Sequence, residues 1–466
     1  MVFNSVAFLW FFVVVYSVYL CLDWRRQNLL LLVASYVFYG WWNWRFLGLL
    51  WLTTVIDYTA ARQISRAEGT GRRRAWLLVS ISSNLIVLGV FKYFDFFVSS
   101  FAALLSRLGL SVNPPVLNVI IPVGISFYTF QSISYVVDVY RGSLRARPIF
   151  EFALFVSYFP HLVAGPIVRP TLLLPQFERD RRGNIDLLVG AKLIVLGLFQ
   201  KLVLSDTISA SIGAVFATPH LFSGTEVLAA VLLYSLQIYG DFAGYSNIAR
   251  GVSKLMGIDL SVNFRTPYLA RSITEFWRRW HISLSTWLRD YLYIPLGGNR
   301  HGPWRTYANL MITMLLGGLW HGARWTFVAW GGLHGLWLVV HRRWSEARGA
   351  SASTASSVWR QVAGAGWIAL TFSLVSFSWV FFRAPTFATA GEIFARIASG
   401  TGQLSALRQA VVYYLLCAVM SEWPERRNQL GAPAASRIEA PVYALMLFFV
   451  VTARYPKAAP FIYFQF

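Results

Sequence analysis

The sequence predicts an all-α polytopic membrane protein of about 11 to 12 transmembrane helices, with re-entrant and interfacial helices between them. Of its 466 residues, 56% are hydrophobic and 17% aromatic, whereas only 13% are charged. Apolar runs recur along the whole chain, and short basic loops separate them. We find no internal repeat and no soluble domain, so residues 1–466 are predicted to form a single domain.

Charge and cysteine content narrow the possible functions. The formal net charge of +21 is carried mainly by short loops, as the positive-inside rule predicts for a membrane protein. This pattern favours the lipid bilayer as a partner and argues against nucleic acid. Cys21 and Cys417 lie in apolar runs far apart in the sequence, so neither a disulfide framework nor a cysteine metal site is expected. No metal is predicted.

The first third of the chain sets the predicted orientation. Its apolar runs cover residues near 5–22, 28–41, 46–61, 75–98 and 116–139. The loop 62–74 is the most basic segment among them, and the positive-inside rule therefore places it in the cytoplasm. Counting spans from that loop puts the N-terminus on the outer face.

Residues 150–168 form an apolar run that Pro160 and the Gly165-Pro166 pair interrupt, and basic residues flank it at both ends. A segment with cytoplasmic charge at both ends is expected to re-enter the membrane rather than to cross it. Its His161 is interpreted as a hydrogen-bonded structural histidine, in preference to one that faces a cavity.

A carboxylate lies within the next pair of predicted spans, 187–204 and 227–248. Asp241 is embedded in an apolar helix between Gly240 and Gly244, and glycines allow neighbouring helices to approach closely. A carboxylate at such a depth needs a cationic partner, for which Arg250 or a nearby lysine is available.

Residues 254–305 are the least membrane-like part of the chain. Arginines alternate there with tryptophans and tyrosines, a pattern that predicts helices in the cytoplasmic interface, starting near Thr274 and ending before Pro295. Positive-inside charge and an aromatic belt explain this pattern. A basic mouth for an anionic cofactor, such as a phosphorylated nucleotide thioester, explains it too, since arginine suits phosphate. The candidate donor-binding residues are Trp277, Arg278, Arg279 and Arg289.

The stretch 315–334, LLGGLWHGARWTFVAWGGLH, contains His321 in almost wholly apolar surroundings. The apolar run before it, 306–319, is about 21 Å long as a helix, which places His321 inside the bilayer. Charge is costly there, so the ring is expected to stay neutral and able to accept a proton. The alternative is a structural histidine that bonds a nearby carbonyl. His281, in a Trp-His-Ile-Ser sequence, is the second histidine of interest.

The last predicted spans are 362–382, 411–420 with its flanks and 438–451. With twelve spans in all, the C-terminus lies outside like the N-terminus. Residues 438–466 are thus predicted to form a C-terminal helix and an outer-face tail. That tail carries one hydroxyl nucleophile, Tyr463.

These residues alone suggest acyl transfer across a membrane. A neutral histidine reached from both faces can deprotonate a hydroxyl on one side for attack on a thioester from the other. A proton-coupled transporter or channel with a histidine relay would use the same residues. We find no inverted repeat and no paired interrupted helices to favour it.

Several motifs together carry a family resemblance. They are FPHLVAGPI at 159–167, YGDFAGYS at 239–246, NFRTPY at 263–268, FWRRWHISLS at 276–285 continuing to PLGG at 295–298, and GLWHG at 318–322. With them the chain resembles the membrane-bound O-acyltransferase (MBOAT) family, in the branch that includes alginate O-acetyltransferase and the D-alanine transfer protein of teichoic acids. The similarity runs through essentially the whole chain.

The resemblance implies an MBOAT fold around a central funnel or tunnel, in a bacterial inner membrane. It implies that His321 is the catalytic histidine and that His281 is its upstream polar partner, an asparagine in other branches. It also implies acetyl-CoA as cytoplasmic donor and O-acetylation of an extracytoplasmic polysaccharide, such as an alginate-like polymer, cellulose or peptidoglycan. Tyr463 matches a tyrosine thought to relay the acyl group to a secreted SGNH-type transferase. Nothing in the loops marks the polysaccharide.

Overall fold

A computed structural model describes residues 1–110, 113, 115–348, 357–400, 402–403, 407–429 and 438–453. Over these residues the chain is helical and contains no strand, which confirms the predicted all-α class. The chain packs into two compact units, Met1–Ile194 with Ile248–Ser261 and Val195–Asn247 with Val262–Phe466, here called the first and second unit. The single domain predicted above stays a prediction.

The first unit contains the N-terminal helices and the predicted re-entrant segment. Its helices are α1 (Val6–Cys21), α2 (Trp24–Asn43), α3 (Arg45–Arg66), α4 (Thr70–Leu88) with a π turn (Gly89–Tyr93) leading into α5 (Phe94–Arg107), α6 (Ile125–Arg141), α7 (Ile149–Ser157), α8 (Phe159–Leu162) and α9 (Pro170–Leu173), followed by 3-10 turns at Leu174–Glu178 and Arg182–Asn184. Helices α10 (Leu187–Leu198) and α12 (Gly224–Leu255) contribute residues to both units.

The segment predicted to re-enter the membrane is broken where its prolines and glycine predict. Helix α7 has 9 residues and α8 has 4, so neither is long enough to cross a bilayer alone. His161 is fully buried, and its Nε2 lies 2.9 Å from the carbonyl oxygen of Phe155. This bond gives His161 the structural role preferred from the sequence.

The second unit contains all the chemistry-bearing residues discussed below. After α10 come a π-helical segment (Phe199–Asp206), α11 (Thr207–Ala217), a 3-10 turn (Pro219–Leu221), α12, a second 3-10 turn (Pro267–Leu269), α13 (Ile273–Arg279), α14 (Ile282–Leu288), a π turn (Arg289–Tyr293), α15 (Gly302–His321), α16 (Trp325–Arg348), α17 (Ser357–Arg383), α18 (Phe387–Ser399), α19 (Arg408–Gln429) and α20 (Glu439–Thr452).

The helices carry the apolar surfaces of a membrane protein. Four helical stretches of the described chain are long and apolar enough to cross a bilayer, namely Thr70–Arg107, Leu187–Ala217, Gly224–Leu255 and Gln361–Arg383. Large apolar side chains point outward on many helices, for example Val6, Leu85 and Leu416. Such extended exposed apolar surfaces are atypical of a soluble monomer. The predicted total of 11 to 12 spans stays a prediction.

Helices α15, α16 and α17 pack side by side, and they position the candidate site. The contact between α15 and α16 is close because small residues line it. A Cβ atom added at Gly318 would overlap the carbonyl oxygen of Phe327, and one added at Gly331 would overlap that of Met314. The two helices therefore meet backbone to backbone, which fixes the position of the residues at the end of α15.

Candidate active site

His321 is the last residue of α15, a helix of 20 residues that is about 30 Å long. The helix stops there, and α16 begins four residues later at Trp325. The imidazole is 3% exposed and is surrounded by aromatic rings. The ring centroids of Trp330 and Phe382 lie 5.1 and 5.3 Å from that of His321. The site is therefore apolar and shielded from water.

His281 reaches the same site from the break between α13 and α14. Its backbone is left-handed, with φ 42°, a conformation that is uncommon for residues other than glycine and often marks a functional site. The ring is fully buried, and its centroid lies 6.5 Å from that of His321 and 4.5 Å from that of Phe242. The structure thus brings together two histidines that are 40 residues apart in sequence.

Asn263 fixes the tautomer of His281. The backbone N–H and the hydroxyl of Ser283 donate to Asn263 Oδ1 at 3.2 and 2.7 Å, and His281 Nδ1 lies 3.3 Å from the same oxygen. Because an oxygen that receives these donors is an acceptor, His281 must donate to it from Nδ1. The other ring nitrogen, Nε2, is buried and has no hydrogen-bond partner among the described residues. It is left as an acceptor.

Burial also fixes the charge of His281. The residue lies in the stretch 254–305, outside the candidate membrane-spanning helices, and desolvation lowers its pKa to about 3. The ring is therefore neutral at physiological pH, which keeps a lone pair on Nε2. Sequence reasoning noticed the NFRTPY motif but assigned no role to Asn263. The signal for it is the asparagine in an otherwise apolar and basic stretch.

The carboxylate of Asp241 pairs with a lysine. Lys201 Nζ lies 2.7 Å from Asp241 Oδ1 and 2.7 Å from Asp206 Oδ1. Lys201 and Asp206 lie five residues apart within the π-helical segment, whose i to i+5 bonding brings such residues onto one face. Gly244 permits the approach, because a Cβ there would touch the carbonyl oxygen of Gly197 and the backbone of Lys201. The expected cationic partner of Asp241 is thus a lysine.

Trp277, predicted to bind the donor, lies inside the second unit. It is 9% exposed, and its indole N–H donates to Nδ1 of His334 at 3.3 Å. Since Nδ1 accepts, the proton of the neutral His334 ring is on Nε2, which lies 3.0 Å from the hydroxyl of Ser378. His334 therefore links α13, α16 and α17.

The three arginines predicted to bind the donor lie closer to solvent. Arg278 and Arg289 are exposed, and Arg279 is half-buried. Arg279 pairs with Glu275 at 2.6 Å and Arg289 with Asp290 at 2.6 Å. Donor binding by Trp277, Arg278, Arg279 and Arg289 stays a prediction.

The aromatic belt was one of two explanations for the tryptophans of the stretch 254–305. Trp277, Trp280 and Trp287 are all buried, so these three side chains belong to the core of the second unit and do not form a belt. Helix α13 also begins earlier than predicted. Ser272 caps it, because its hydroxyl accepts the backbone N–H of Glu275 at 3.2 Å, in the Ser-x-x-Glu pattern of a capping box.

A cavity of about 550 Å³ lies among the start of α13, the C-terminal half of α16 and the middle of α17. Tryptophan side chains and a few polar groups line it, among them Arg271, Trp337, His341, Trp344 and Trp367. None of the four predicted donor-binding residues is in this lining. Volume and composition are typical of a site for a small organic ligand.

The glycine contact between α15 and α16 gives a first prediction. Gly331→Val should destabilise the fold by about 1–3 kcal/mol through overpacking and should lower activity, because His321 would shift with α15. Gly366→Val, on α17, is the control, since no atom lies within 4 Å of a Cβ built there. Thermal unfolding of both variants in detergent measures the difference, and equal melting temperatures would contradict the close packing.

Comparison with known proteins identifies the family of this chain. The pattern of the family described as MBOAT, membrane-bound O-acyltransferase family, matches residues 143–383, just over half of the chain and including both histidines. The chain belongs to the MBOAT family. It is accordingly a membrane-bound acyltransferase, as the sequence motifs indicated.

Three relatives show how far the similarity extends. A probable alginate O-acetylase AlgI of Pseudomonas putida is 40% identical over 498 aligned residues, covering 100% of both chains. A protein of the same name from Pseudomonas aeruginosa is 45% identical over 416 residues, 88% of this chain and 77% of the relative. A peptidoglycan O-acetyltransferase of Helicobacter pylori is 36% identical over 394 residues, 78% of this chain and 72% of the relative.

Tyr463, the predicted acyl relay, lies outside the residues that the structure describes. Its role stays a prediction.

Proposed function

We propose that this MBOAT protein transfers an acetyl group from cytoplasmic acetyl-CoA to the outer face of a bacterial inner membrane, for O-acetylation of an extracytoplasmic polysaccharide. The observation that carries the proposal is the pair of buried histidines, His281 and His321, in a dry aromatic site at the end of α15. The names of the relatives, alginate O-acetylase and peptidoglycan O-acetyltransferase, support the acyl group and the class of acceptor.

We propose that the donor binds in the cavity between the start of α13, the C-terminal half of α16 and the middle of α17. Arg271 supplies a cation for the phosphates, and its guanidinium lies over Gly364, where a Cβ would come within 3.4 Å of it. The tryptophans supply apolar surface for the thioester arm. The basic side chains at the C-terminal end of α16, such as Arg342 and Arg343, favour the cytoplasmic face.

One face of α16 connects this cavity with His321. Trp330, His334, Trp337, His341 and Trp344 recur every three or four residues, so they share one side of the helix. His334 lies with its ring centroid 4.8 Å from Trp330 and 5.2 Å from Trp337. The helical rise puts His341 about 16 Å from Trp330 along the axis, and Trp330 contacts His321. Trp330 and His334 are fully buried, so an extended thioester arm would follow this stripe only after these side chains move apart.

The reaction then needs few groups. His321 takes the proton from the acceptor hydroxyl, the hydroxyl oxygen attacks the thioester carbonyl carbon, and the carbon–sulfur bond breaks. His321 returns the proton to the departing thiolate, leaving an acetyl ester and coenzyme A. His281 Nε2 accepts a hydrogen bond from a donor group of the substrates other than that hydroxyl, and thereby orients them. The aromatic rings exclude water, which would otherwise compete as acceptor.

The C-terminal tail takes part in the proposed transfer at the outer face of the membrane. We propose that both termini lie outside, that Tyr463 carries the acetyl group transiently, and that an extracytoplasmic SGNH-type transferase passes it to the polymer. The predicted outer-face position of residues 438–466 supports this order. Tyr463→Phe should abolish acetylation of the polymer while acetyl-CoA is still bound, and unchanged polymer acetylation would leave the tyrosine with a packing role only.

Purified protein reconstituted in liposomes tests the function directly. With radiolabelled acetyl-CoA on the side of the basic loops, we expect label on a soluble acceptor added to the other side, together with free coenzyme A. Coenzyme A release without any transfer across the bilayer would contradict acyl transfer. Movement of protons or of saccharide without acetyl-CoA would indicate a transporter instead.

The role of His281 gives a separate prediction. His281→Asn should lower the transfer rate about 10-fold, the value of one hydrogen bond, because asparagine tolerates the left-handed backbone and still donates toward Asn263. His281→Ala should cost about 100-fold or more, since it removes both hydrogen-bonding nitrogens. Rates are compared at equal amounts of folded protein. Equal losses in the two variants would contradict the specific role of the ring.

A further inference from the structure

We propose that the indole N–H of Trp330 is a further catalytic group, which donates a hydrogen bond to the carbonyl oxygen of the acetyl group during transfer. The inference rests on the proposed function and adds the group that stabilises the transition state. In acyl transfer, negative charge develops on the carbonyl oxygen, and positioned donors that face this oxygen supply a large part of the rate enhancement.

The two buried histidines leave that oxygen without a donor. His321 acts through an unprotonated nitrogen, because it takes the proton of the attacking hydroxyl. The N–H on its other ring nitrogen points away from that hydroxyl. His281 directs its Nδ1–H to Asn263 and keeps only a lone pair at Nε2, so it has no proton to donate toward the carbonyl. Another N–H or O–H group is therefore required.

Trp330, in the second turn of α16, carries such a group. The side chain is fully buried, and its Nε1 has no hydrogen-bond partner among the described residues. A buried donor that is left without an acceptor costs about 1–3 kcal/mol. A ligand with an acceptor atom removes this cost, and the acetyl carbonyl oxygen is the acceptor that the proposed reaction brings.

The rings around Trp330 explain why its N–H stays unbonded. Nδ1 of His334 accepts the indole N–H of Trp277 at 3.3 Å, so this nitrogen is already occupied. The Trp379 and Phe382 rings lie with their centroids 5.5 and 5.4 Å from that of Trp330, and neither side chain has an acceptor atom. The surroundings thus hold the indole in place without satisfying it.

The position of Trp330 relative to the reacting histidine is fixed. The centroids of the Trp330 and His321 rings lie 5.1 Å apart, with the ring planes at 87°. The next residue, Gly331, packs backbone to backbone against Met314 and Gly318 of α15, the helix that ends at His321. The proposed path of the thioester arm passes Trp330, so a carbonyl attacked beside His321 is within reach of the indole N–H.

The step balances in atoms and electrons. The hydroxyl oxygen bonds to the carbonyl carbon while His321 takes its proton, and the π electrons of the carbonyl move to its oxygen. This oxyanion accepts the hydrogen bond from Trp330 Nε1, and no proton is transferred between them. The electron pair then re-forms the carbonyl, the carbon–sulfur bond breaks, and His321 returns the proton to the thiolate.

Replacement of the N–H alone tests the proposal. Full-length protein is made with Trp330→benzothienylalanine, in which sulfur replaces the indole N–H within the same ring system. We expect kcat for acetyl transfer to fall about 10²–10³-fold, the usual loss for one oxyanion donor. The affinity for acetyl-CoA and the melting temperature should stay at their wild-type values, because the ring keeps its shape.

Trp379→Phe is the matched control. It also removes the N–H of a buried indole, but no ring contact joins Trp379 to His321 in the described part of the chain, so kcat should fall far less. Two outcomes of the kinetic comparison would overturn the proposal. They are an unchanged kcat in the folded sulfur analogue and an equal loss of kcat in Trp379→Phe.

Infrared spectroscopy of the bound donor reports the hydrogen bond without turnover. His321→Ala protein is loaded with acetyl-CoA that carries a heavy carbon isotope at the acetyl carbonyl, so that its stretching band can be assigned. We expect the band at a lower frequency with Trp330 than with benzothienylalanine at this position, and identical bands would contradict the hydrogen bond. If the wild type transferred no acetyl group, the proposed function would fail, whereas the infrared comparison would still decide the role of the N–H.

Discussion

His321→Ala is expected to lower the rate of acetyl transfer by about 10²–10⁴-fold, the usual contribution of a positioned general base. The aromatic rings around His321 offer no other proton acceptor, and His281 keeps its own position through Asn263. The loss should appear in kcat with little change in the affinity for acetyl-CoA, because the donor cavity lies at the far end of α16.

The measurement compares transfer rates and polymer acetylation at equal amounts of membrane-inserted protein. His220→Ala is the matched control, since His220 is exposed and pairs with Glu392 at 3.2 Å, away from the site. That variant should keep wild-type activity. Retained acetylation in a folded His321→Ala variant would show that the histidine has only a packing role.

Sequence periodicity and composition predict the helices, which depend on the membrane environment, and the local breaks in them. The apolar run 306–319 predicts a helix, and the structure forms it over Gly302–His321. The sequence left open whether this helix continues through Gly322, and the structure ends it at His321. The break at Pro160 is local, because proline lacks the N–H that a continuous helix requires. Such features need no knowledge of the rest of the fold.

The parts of the site that were missed depend on contacts between distant segments. Asn263 binds His281 only because the chain folds back at Trp280, and nothing in the composition indicates the left-handed backbone there. Lys201 reaches Asp206 because the helix widens to a π segment, whereas an ordinary α-helix would put residues five apart on different faces. Sequence reasoning thus predicted a cation for Asp241 without identifying it.

The alternation of arginine and tryptophan in 254–305 left the environment of the tryptophans open for a related reason. An interfacial belt and a buried aromatic cluster have the same composition. Trp280 is buried because the Phe264 and Phe276 rings pack against it, with centroids 5.1 and 5.5 Å away. Only the tertiary fold distinguishes the two environments.

Lys201→Met should be the most destabilising substitution in the second unit. It leaves the carboxylates of Asp206 and Asp241 buried without the ammonium that both contact at 2.7 Å. Removing one partner from a buried ionic group typically costs about 3–5 kcal/mol, and here two like charges remain face to face. We expect a large fall in the melting temperature of the detergent-solubilised protein and a low yield.

The triple variant Lys201→Met, Asp206→Asn and Asp241→Asn separates charge from packing. It keeps the shape of the cluster but removes all three charges, and replacement of a whole buried ionic group by neutral side chains is often close to neutral in stability. Its melting temperature should therefore return most of the way to that of the wild type. If the triple variant is as unstable as Lys201→Met alone, packing of the lysine stem against Gly244, rather than unpaired charge, is the cause.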